Sequence, residues 1–196
     1  MGEKYREYIQ ELFHLSFGAA NPFRKGPLIM DSHIMPSLKH FIEVYLITGS
    51  GTNYIQGRTF EIPPETAEKI ACFFHSGLPI EPKGEINPPL YREGNRIVFQ
   101  HKPMYHTVDE LFLFIGINPS DIFDLGGDVE LWLGLGKKAE KYIISKPSLV
   151  YIPAGLVHGP LVFRNVRRPF VQVIINESPT LDEHGVDEWP PDYKPE

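Results

Sequence analysis

Short apolar runs separated by glycine, proline, asparagine and aspartate dominate the second half of the chain. Runs that are rich in β-branched and aromatic residues and bounded by turn-forming residues predict strands. We expect seven of them, at residues 96–100, 110–115, 129–133, 141–144, 149–152, 161–166 and 170–175. Such short, evenly spaced strands indicate an antiparallel sandwich or barrel rather than crossover units with helices. The predicted fold class is therefore all-β.

Two segments of the first half have helical spacing instead. Between residues 3 and 15, the apolar residues that recur at this spacing are Tyr5, Ile9, Leu12 and Phe13. Charged residues separate them, which predicts an amphipathic N-terminal helix. An additional short helix is expected over residues 64–74, because Pro64 suits a first helical turn and Gly77 suits a stop.

The composition limits the partners and the compartment. A formal net charge of -6, without any long Lys/Arg cluster, argues against nucleic-acid binding and favours a small-molecule or protein partner. Cys72 is the single cysteine, so an internal disulfide is impossible and a reducing compartment fits. No apolar run approaches the roughly 20 residues of a membrane helix, and no signal-peptide pattern opens the chain. We expect a cytoplasmic protein that contacts no membrane.

Two segments carry candidate metal ligands. His106 lies four residues before Glu110, and alternate residues of a strand share a face, so both side chains would point the same way. Further on, a predicted strand ends at Ile152 and is followed by a Pro/Gly turn and then by His158. Such a turn would direct His158 back towards the interior of the sheet structure.

These segments resemble the two paired motifs of the cupin superfamily. The first motif ends in a histidine, three spacers and a glutamate, as at His106 and Glu110. The second reads Pro-x-Gly-x-x-His, as at Pro153, Gly155 and His158. The resemblance covers about residues 94–177, close to half of the chain.

The resemblance implies a double-stranded β-helix, which is a jelly-roll barrel. We interpret residues 85–178 as this cupin barrel and residues 179–196 as an acidic, proline-rich tail that wraps over the surface or stays partly disordered. Residues 1–84 would form an N-terminal extension of helix and strand packed on the barrel. Residues 43–49 match residues 110–116 in type and spacing, so the extension is either a degenerate half-repeat or a coincidence of strand composition.

The resemblance also implies one divalent metal ion in the mouth of the barrel, bound by His106, Glu110 and His158. Two imidazoles and one carboxylate suit non-heme Fe(II) with open coordination positions, and Mn, Ni and Zn accept similar ligands. Taken alone, each histidine is also typical of a surface position, Glu110 of a solvated strand start, and the Pro/Gly segment of an ordinary turn.

The fourth ligand position is open at the level of the sequence. The leading histidine of the family's first motif falls on Met104, whose thioether is a weak ligand for these metals and an ordinary filler of a barrel interior. His101 becomes a ligand if a bulge at Pro103 shifts the strand by one residue.

The resemblance implies a metal-dependent enzyme acting on a small organic molecule, of the dioxygenase, decarboxylase, isomerase or lyase type. Asp109 and Tyr151 are candidates for the catalytic proton donor or acceptor. The alternative is a non-catalytic cupin that binds or senses a small molecule, because fold alone does not decide function. The extra N-terminal strands favour a homodimer, since they exceed what one barrel needs.

Overall fold

The computed structural model describes residues 9, 13–14, 22–32, 34–62, 90–93, 96–180 and 182–195. Within these residues the secondary structure is β-strand with one 3₁₀ turn at Gly136–Lys138. The strands are β1 Phe13–His14, β2 Arg24–Met30, β3 Phe41–Ile47, β4 Phe60–Ile62, β5 Leu90–Glu93, β6 Arg96–Phe99, β7 Met104–Tyr105, β8 Glu110–Gly116, β9 Asp128–Leu133, β10 Glu140–Ile144, β11 Ser148–Ile152, β12 His158–Arg164, β13 Phe170–Asn176 and β14 His184–Gly185. None of the described helices is long and apolar enough to cross a membrane.

Two antiparallel sheets share one core. The six-stranded sheet has the order β1-β2-β3-β13-β8-β11, and the five-stranded sheet has the order β10-β9-β12-β7-β14. A third, three-stranded sheet has the order β4-β6-β5. Phe112, Phe114 and Phe170 of the six-stranded sheet join Leu131 and Phe163 of the five-stranded sheet in a single buried cluster. The described residues therefore have the antiparallel, all-β architecture expected from the sequence, with the core between the two larger sheets.

Strand alternation decides which side chains enter this core. In β13, Phe170, Gln172, Ile174 and Asn176 are buried, while the residues between them keep part of their surface accessible. This pattern is that of a strand with one face on the core. Because β13 pairs with β3 on one side and β8 on the other, side chains from all three strands meet on the same inner face.

The seven predicted strands all occur, with ends shifted by a few residues. The prediction of an N-terminal helix is wrong at the C-terminal end of that helix. Phe13 and His14 form β1 instead, and Phe13 pairs with Ile29 of β2. Strand pairing has overridden a helical spacing of apolar residues. Apart from Ile9, the rest of that predicted helix lies outside the described residues, as does the predicted helix over residues 64–74.

The N-terminal strands are part of the main sheet. β3 pairs with β13 along all of its seven residues, from Phe41 to Ile47. At the other end of the chain, β14 pairs with β7, and the Tyr193 ring packs edge-on against Trp132 of β9 with centroids 6.4 Å apart. The described part of the tail therefore adds the edge strand of the five-stranded sheet and packs on one of its side chains. The division of the chain at residues 84 and 178 stays a prediction.

Candidate metal centre

Glu110 is the first residue of β8 and faces the interior. It is 2% exposed and lies between Ile152 of β11 and Asn176 of β13 in the sheet. The Asn176 side-chain amide donates a hydrogen bond to Glu110 Oε1 over 3.3 Å. Neighbouring strands on both sides thus fix the position of this carboxylate on the inner face of the six-stranded sheet.

The turn before His158 is docked on the loop that carries His106. Gly155 has a positive φ of 79°, which glycine adopts without steric cost, and Leu156 N donates to the Pro153 carbonyl over 3.0 Å. The Gly155 amide donates to the His106 carbonyl over 2.8 Å. After this turn the chain enters β12, whose first residue is His158.

Three side chains converge at this point. His106 Nε2 lies 3.2 Å from Glu110 Oε1, and His158 Nε2 lies 3.2 Å from Glu110 Oε2. Like Glu110, both histidines are buried, and the three residues offer ligand atoms that all lie within 4.8 Å of one another. The structure thus brings together the three residues that the sequence predicted as ligands.

The hydrogen bond at the Nδ1 atom of each imidazole fixes the tautomer of that ring. His158 Nδ1 lies 3.3 Å from the Leu156 carbonyl, and His106 Nδ1 contacts the Asp182 carbonyl. A carbonyl oxygen only accepts hydrogen bonds, so each Nδ1 carries the proton and each Nε2 is left to act as a ligand. Metal-binding histidines commonly have such a carbonyl partner on the second nitrogen.

The inner polar atoms of the group are incompletely satisfied. While both Nε2 atoms are unprotonated, no donor lies between the rings and the carboxylate, and His106 Nε2 and Glu110 Oε2 are buried without a hydrogen-bond partner. A buried polar atom left unpaired costs about 1–3 kcal/mol, so native structures rarely retain one without a reason. A divalent ion between the two imidazoles and the carboxylate would satisfy these atoms, and this donor set suits a first-row transition metal.

The two histidines differ in their protonation. Burial alone would lower the pKa of His106, but the interaction with the Glu110 carboxylate and the charge of Glu183 outweigh it and raise the pKa to about 9. Burial lowers the pKa of His158, against the opposing charge of Glu110. Near neutral pH, a metal-free site therefore holds its proton on His106 rather than on His158.

The C-terminal tail covers this group. Asp182 Oδ2 accepts hydrogen bonds from both the amide and the hydroxyl of Thr107, each over 2.7 Å. Asp182 Oδ1 lies 2.9 Å from His184 Nε2. These contacts hold the Asp182 carbonyl against the His106 ring.

Met104 and His101 occupy different places. Met104 pairs directly with His158 across β7 and β12, so the two side chains share a face, and Met104 is buried. His101 packs against Tyr54 with ring centroids 5.1 Å apart and is outside the group of converging ligand atoms. An irregular pairing beside the site lies in β12, between His158 and Leu161.

Asp109 and Tyr151 are not brought into the site. The Tyr151 hydroxyl donates to Asp109 Oδ2 over 2.5 Å, and Tyr151 is 54% exposed. Its neighbour Ile152 is buried opposite Glu110, so alternation turns Tyr151 to the outer face of the sheet. Asp109 Oδ1 accepts the Ala154 amide over 2.8 Å and so supports the turn that precedes His158.

The sequence reasoning missed several polar residues of the interior, namely Arg24, Glu43, Tyr45, Gln172, Asn176 and Glu183. For two of them a signal existed. Gln172 and Asn176 share the strand phase of Phe170, so a polar group among inward apolar positions was visible in β13. For the others, the decisive information is how the N-terminal strands and the tail pair with other strands of the two sheets.

Comparisons with known proteins add solved structures at low similarity. No protein-family model and no curated protein matches the chain. An oxalate oxidase has 12% identity and a TM-score of 0.44, with 92% of this chain and 64% of that chain covered. Lactobacillus farciminis oxalate decarboxylase has 10% identity and a TM-score of 0.44, with 91% and 34% covered. Peruvianin-I, a cysteine peptidase from Thevetia peruviana latex, has 8% identity and a TM-score of 0.47, with 94% and 80% covered.

The chain thus spans less than two thirds of the oxalate oxidase chain. At these identities and TM-scores, the similarities carry no conclusion about activity, and the three proteins themselves differ in activity. What agrees with the cupin resemblance is internal to this chain. Its two antiparallel sheets share one core, and its two motifs bring a His–Glu–His group together inside it.

Proposed function

We propose that this chain is a metal-dependent cupin that acts on a small organic molecule. One divalent ion would be bound by His106, Glu110 and His158. The observation that carries the proposal is the placement of the two Nε2 atoms, each 3.2 Å from a different oxygen of one buried carboxylate. Both rings also turn Nδ1 to a backbone carbonyl, as ligands require.

Iron is the metal we favour, with Mn, Ni or Zn as the other candidates, because two imidazoles and one carboxylate leave coordination positions open. A bound ion of this kind polarises a substrate oxygen, activates water or binds oxygen. The protein's own contribution is to orient the three ligands and to keep bulk water away, since all three side chains are buried.

Within this proposal the reaction is of the dioxygenase, decarboxylase, isomerase or lyase type. A non-catalytic binding or sensing role is the second candidate, and the outward position of Tyr151 favours it. Turnover of a panel of small acids, phenols and sugars by the metal-loaded protein separates the two. The cytoplasmic location and the homodimer also stay proposals.

The test is the metal content of protein purified without added metal. Elemental analysis should find about one transition-metal ion per chain, and Glu110→Gln should lose most of it, because the amide is a poorer oxygen ligand than the carboxylate. Glu177→Gln changes an exposed glutamate and is the matched control. Metal-free wild-type protein that also fails to take up Fe, Mn, Ni or Zn would refute the proposal.

A further inference from the structure

Three polar side chains occupy the inner face of the six-stranded sheet apart from the metal-ligating group. Tyr45 of β3 pairs directly with Gln172 of β13. The guanidinium carbon of Arg24, from β2, lies 3.3 Å from the centre of the Tyr45 ring. Arg24 and Gln172 therefore flank the same aromatic side chain.

Gln172 is fully buried, and neither its side-chain nitrogen nor its side-chain oxygen has a hydrogen-bond partner. Both halves of the amide are therefore unsatisfied in a place that water does not reach freely. Such a side chain lowers the stability of the fold, because each unsatisfied group has lost its hydrogen bonds to water without replacement. A bound molecule with complementary polar atoms would explain why it is tolerated.

Arg24 is a second buried side chain with an unsatisfied polar atom, and it also carries a full positive charge. It is 9% exposed, its Nε atom has no hydrogen-bond partner, and no carboxylate of the described residues forms an ion pair with it. Stacking on Tyr45 stabilises the guanidinium by less than the burial of an unpaired ion costs. An anion bound beside Arg24 would supply the missing electrostatic stabilisation of the buried charge.

Glu43 interacts both with Tyr45 and with the metal-ligating residues. The Tyr45 hydroxyl donates to Glu43 Oε1 over 2.9 Å. Burial raises the pKa of Glu43, the charge of Arg24 opposes this, and Glu110 and His106 also act on it. Glu43 has the strand phase of Tyr45, so both side chains belong to the inner face of the sheet.

We propose that Arg24 and Gln172 bind the carboxylate of a small monocarboxylic acid inside the barrel, with the rest of the acid directed past Glu43 to the metal-ligating group. The planar guanidinium and the primary amide both offer N–H donors to carboxylate oxygens. The inference rests on the proposed function for what the acid meets at its far end.

A single negative charge fits better than two. Arg24 supplies one positive charge, and the other buried cation of the described residues, Lys102, already forms an ion pair with Asp187 over 3.0 Å. A dianion beside Arg24 would therefore bury one negative charge without a partner, which is unfavourable. Inorganic phosphate and dicarboxylates should therefore bind more weakly than monocarboxylates of similar size.

The experiment measures binding to the full-length, metal-loaded protein by titration calorimetry. The probes, all at pH 8, are propionate, 2-oxobutanoate and benzoate as monocarboxylates, malonate and inorganic phosphate as mainly doubly charged anions, and propionamide as an uncharged analogue. At least one monocarboxylate should bind, and at least about tenfold more tightly than malonate, phosphate and propionamide, a ratio that corresponds to about 1.4 kcal/mol. Equal binding of propionamide, or binding of no monocarboxylate, would overturn the inference.

Two variants locate the site. Arg24→Met keeps an unbranched stem on Tyr45 and should weaken monocarboxylate binding by about 10–100-fold, as expected for lost charge-assisted hydrogen bonds. Lys25→Met removes the neighbouring exposed charge from the same strand and should change nothing. Gln172→Leu should weaken binding and raise the thermal midpoint of the ligand-free protein, because it removes an unsatisfied buried amide. Unchanged binding in folded Arg24→Met or Gln172→Leu would overturn the inference.

The metal content of each preparation keeps the two proposals apart. Arg24-dependent binding of a monocarboxylate to protein that takes up no metal would refute the metal-dependent function and retain the anion site. Protein that binds about one metal ion per chain but shows no selective monocarboxylate binding would refute the anion site and retain the metal-dependent function.

Discussion

The amide of Gly155 donates a hydrogen bond to the carbonyl of His106 over 2.8 Å. This bond joins the turn that precedes His158 to the loop that carries the other histidine of the group. Since both partners are backbone atoms, the relative position of the two imidazoles is set by the folded chain itself. The candidate ligands are thus preorganised, which favours tight metal binding.

His158→Ala should remove stoichiometric metal and leave the fold in place. Loss of one of three ligands should weaken affinity by more than about 100-fold, beyond the roughly 10–100-fold effect of changing a group that only supports a ligand. Elemental analysis and a circular-dichroism melt check this. His40→Ala changes an exposed histidine and should keep wild-type metal. Unchanged metal in His158→Ala would remove the centre of the proposal.

Met104→His should tighten metal binding by about tenfold or more. Met104 already pairs with His158 on the interior side of the sheet, and imidazole is a far better ligand than a thioether for these metals. Competition with a chelator measures the two dissociation constants.

His101→Ala is the companion measurement. Its ring packs on Tyr54, so we expect no change in metal affinity. If His101→Ala loses metal while Met104→His gains nothing, then His101 is the fourth ligand and our reading of Met104 is wrong.

Metal binding should release about one proton near pH 7.5. The pKa of His106 is raised from 6.5 to about 9, so the metal-free site is protonated there, and the ion must displace that proton. Apparent affinity should consequently fall by up to about tenfold for each unit that the pH drops below 9. Calorimetry in two buffers of different ionisation enthalpy counts the protons, and identical heats in both buffers would contradict the expectation.

The same pKa predicts how the stability of the metal-free protein depends on pH. A raised folded-state pKa contributes stability that is complete below the unfolded value of 6.5 and is lost as the pH rises through about 9. Chemical unfolding at pH 6.5, 7.5 and 9 measures this. His106→Gln should reduce this pH dependence without abolishing it, because burial also raises the pKa of Glu183 to about 8, which makes stability fall with rising pH in the same direction.

Tyr151→Phe should leave metal affinity and any turnover unchanged. The hydroxyl contacts Asp109 on the outer face of the sheet, away from the converging ligands. Steady-state kinetics, once a substrate is found, or metal titration before that, tests this expectation. A large loss of turnover with intact metal binding would instead support the catalytic role predicted for Tyr151 from the sequence.

The sequence predicted the strands and the three converging residues because both depend on short-range patterns. The Pro-x-Gly turn returns the chain to His158 as expected, but His106 lies in the loop between β7 and β8, so this loop and not the predicted strand alternation brings it to Glu110. Arg24 escaped prediction, because its position depends on how β2 pairs with β3, and pairing between distant segments leaves no local pattern. The helix expected near Phe13 failed for a related reason, since its pairing with Ile29 is a long-range contact.

Both oxygens that orient the imidazoles belong to the main chain, at Leu156 and Asp182. A mutation that replaces the Leu156 side chain leaves its carbonyl where it was, so this part of the site can diverge freely during evolution without loss of the tautomer. Descendants of a common ancestor could keep the same imidazole orientation while sharing almost none of the residues around the two histidines. A search for such relatives should therefore compare the directions of backbone carbonyls around paired histidines as well as sequence motifs.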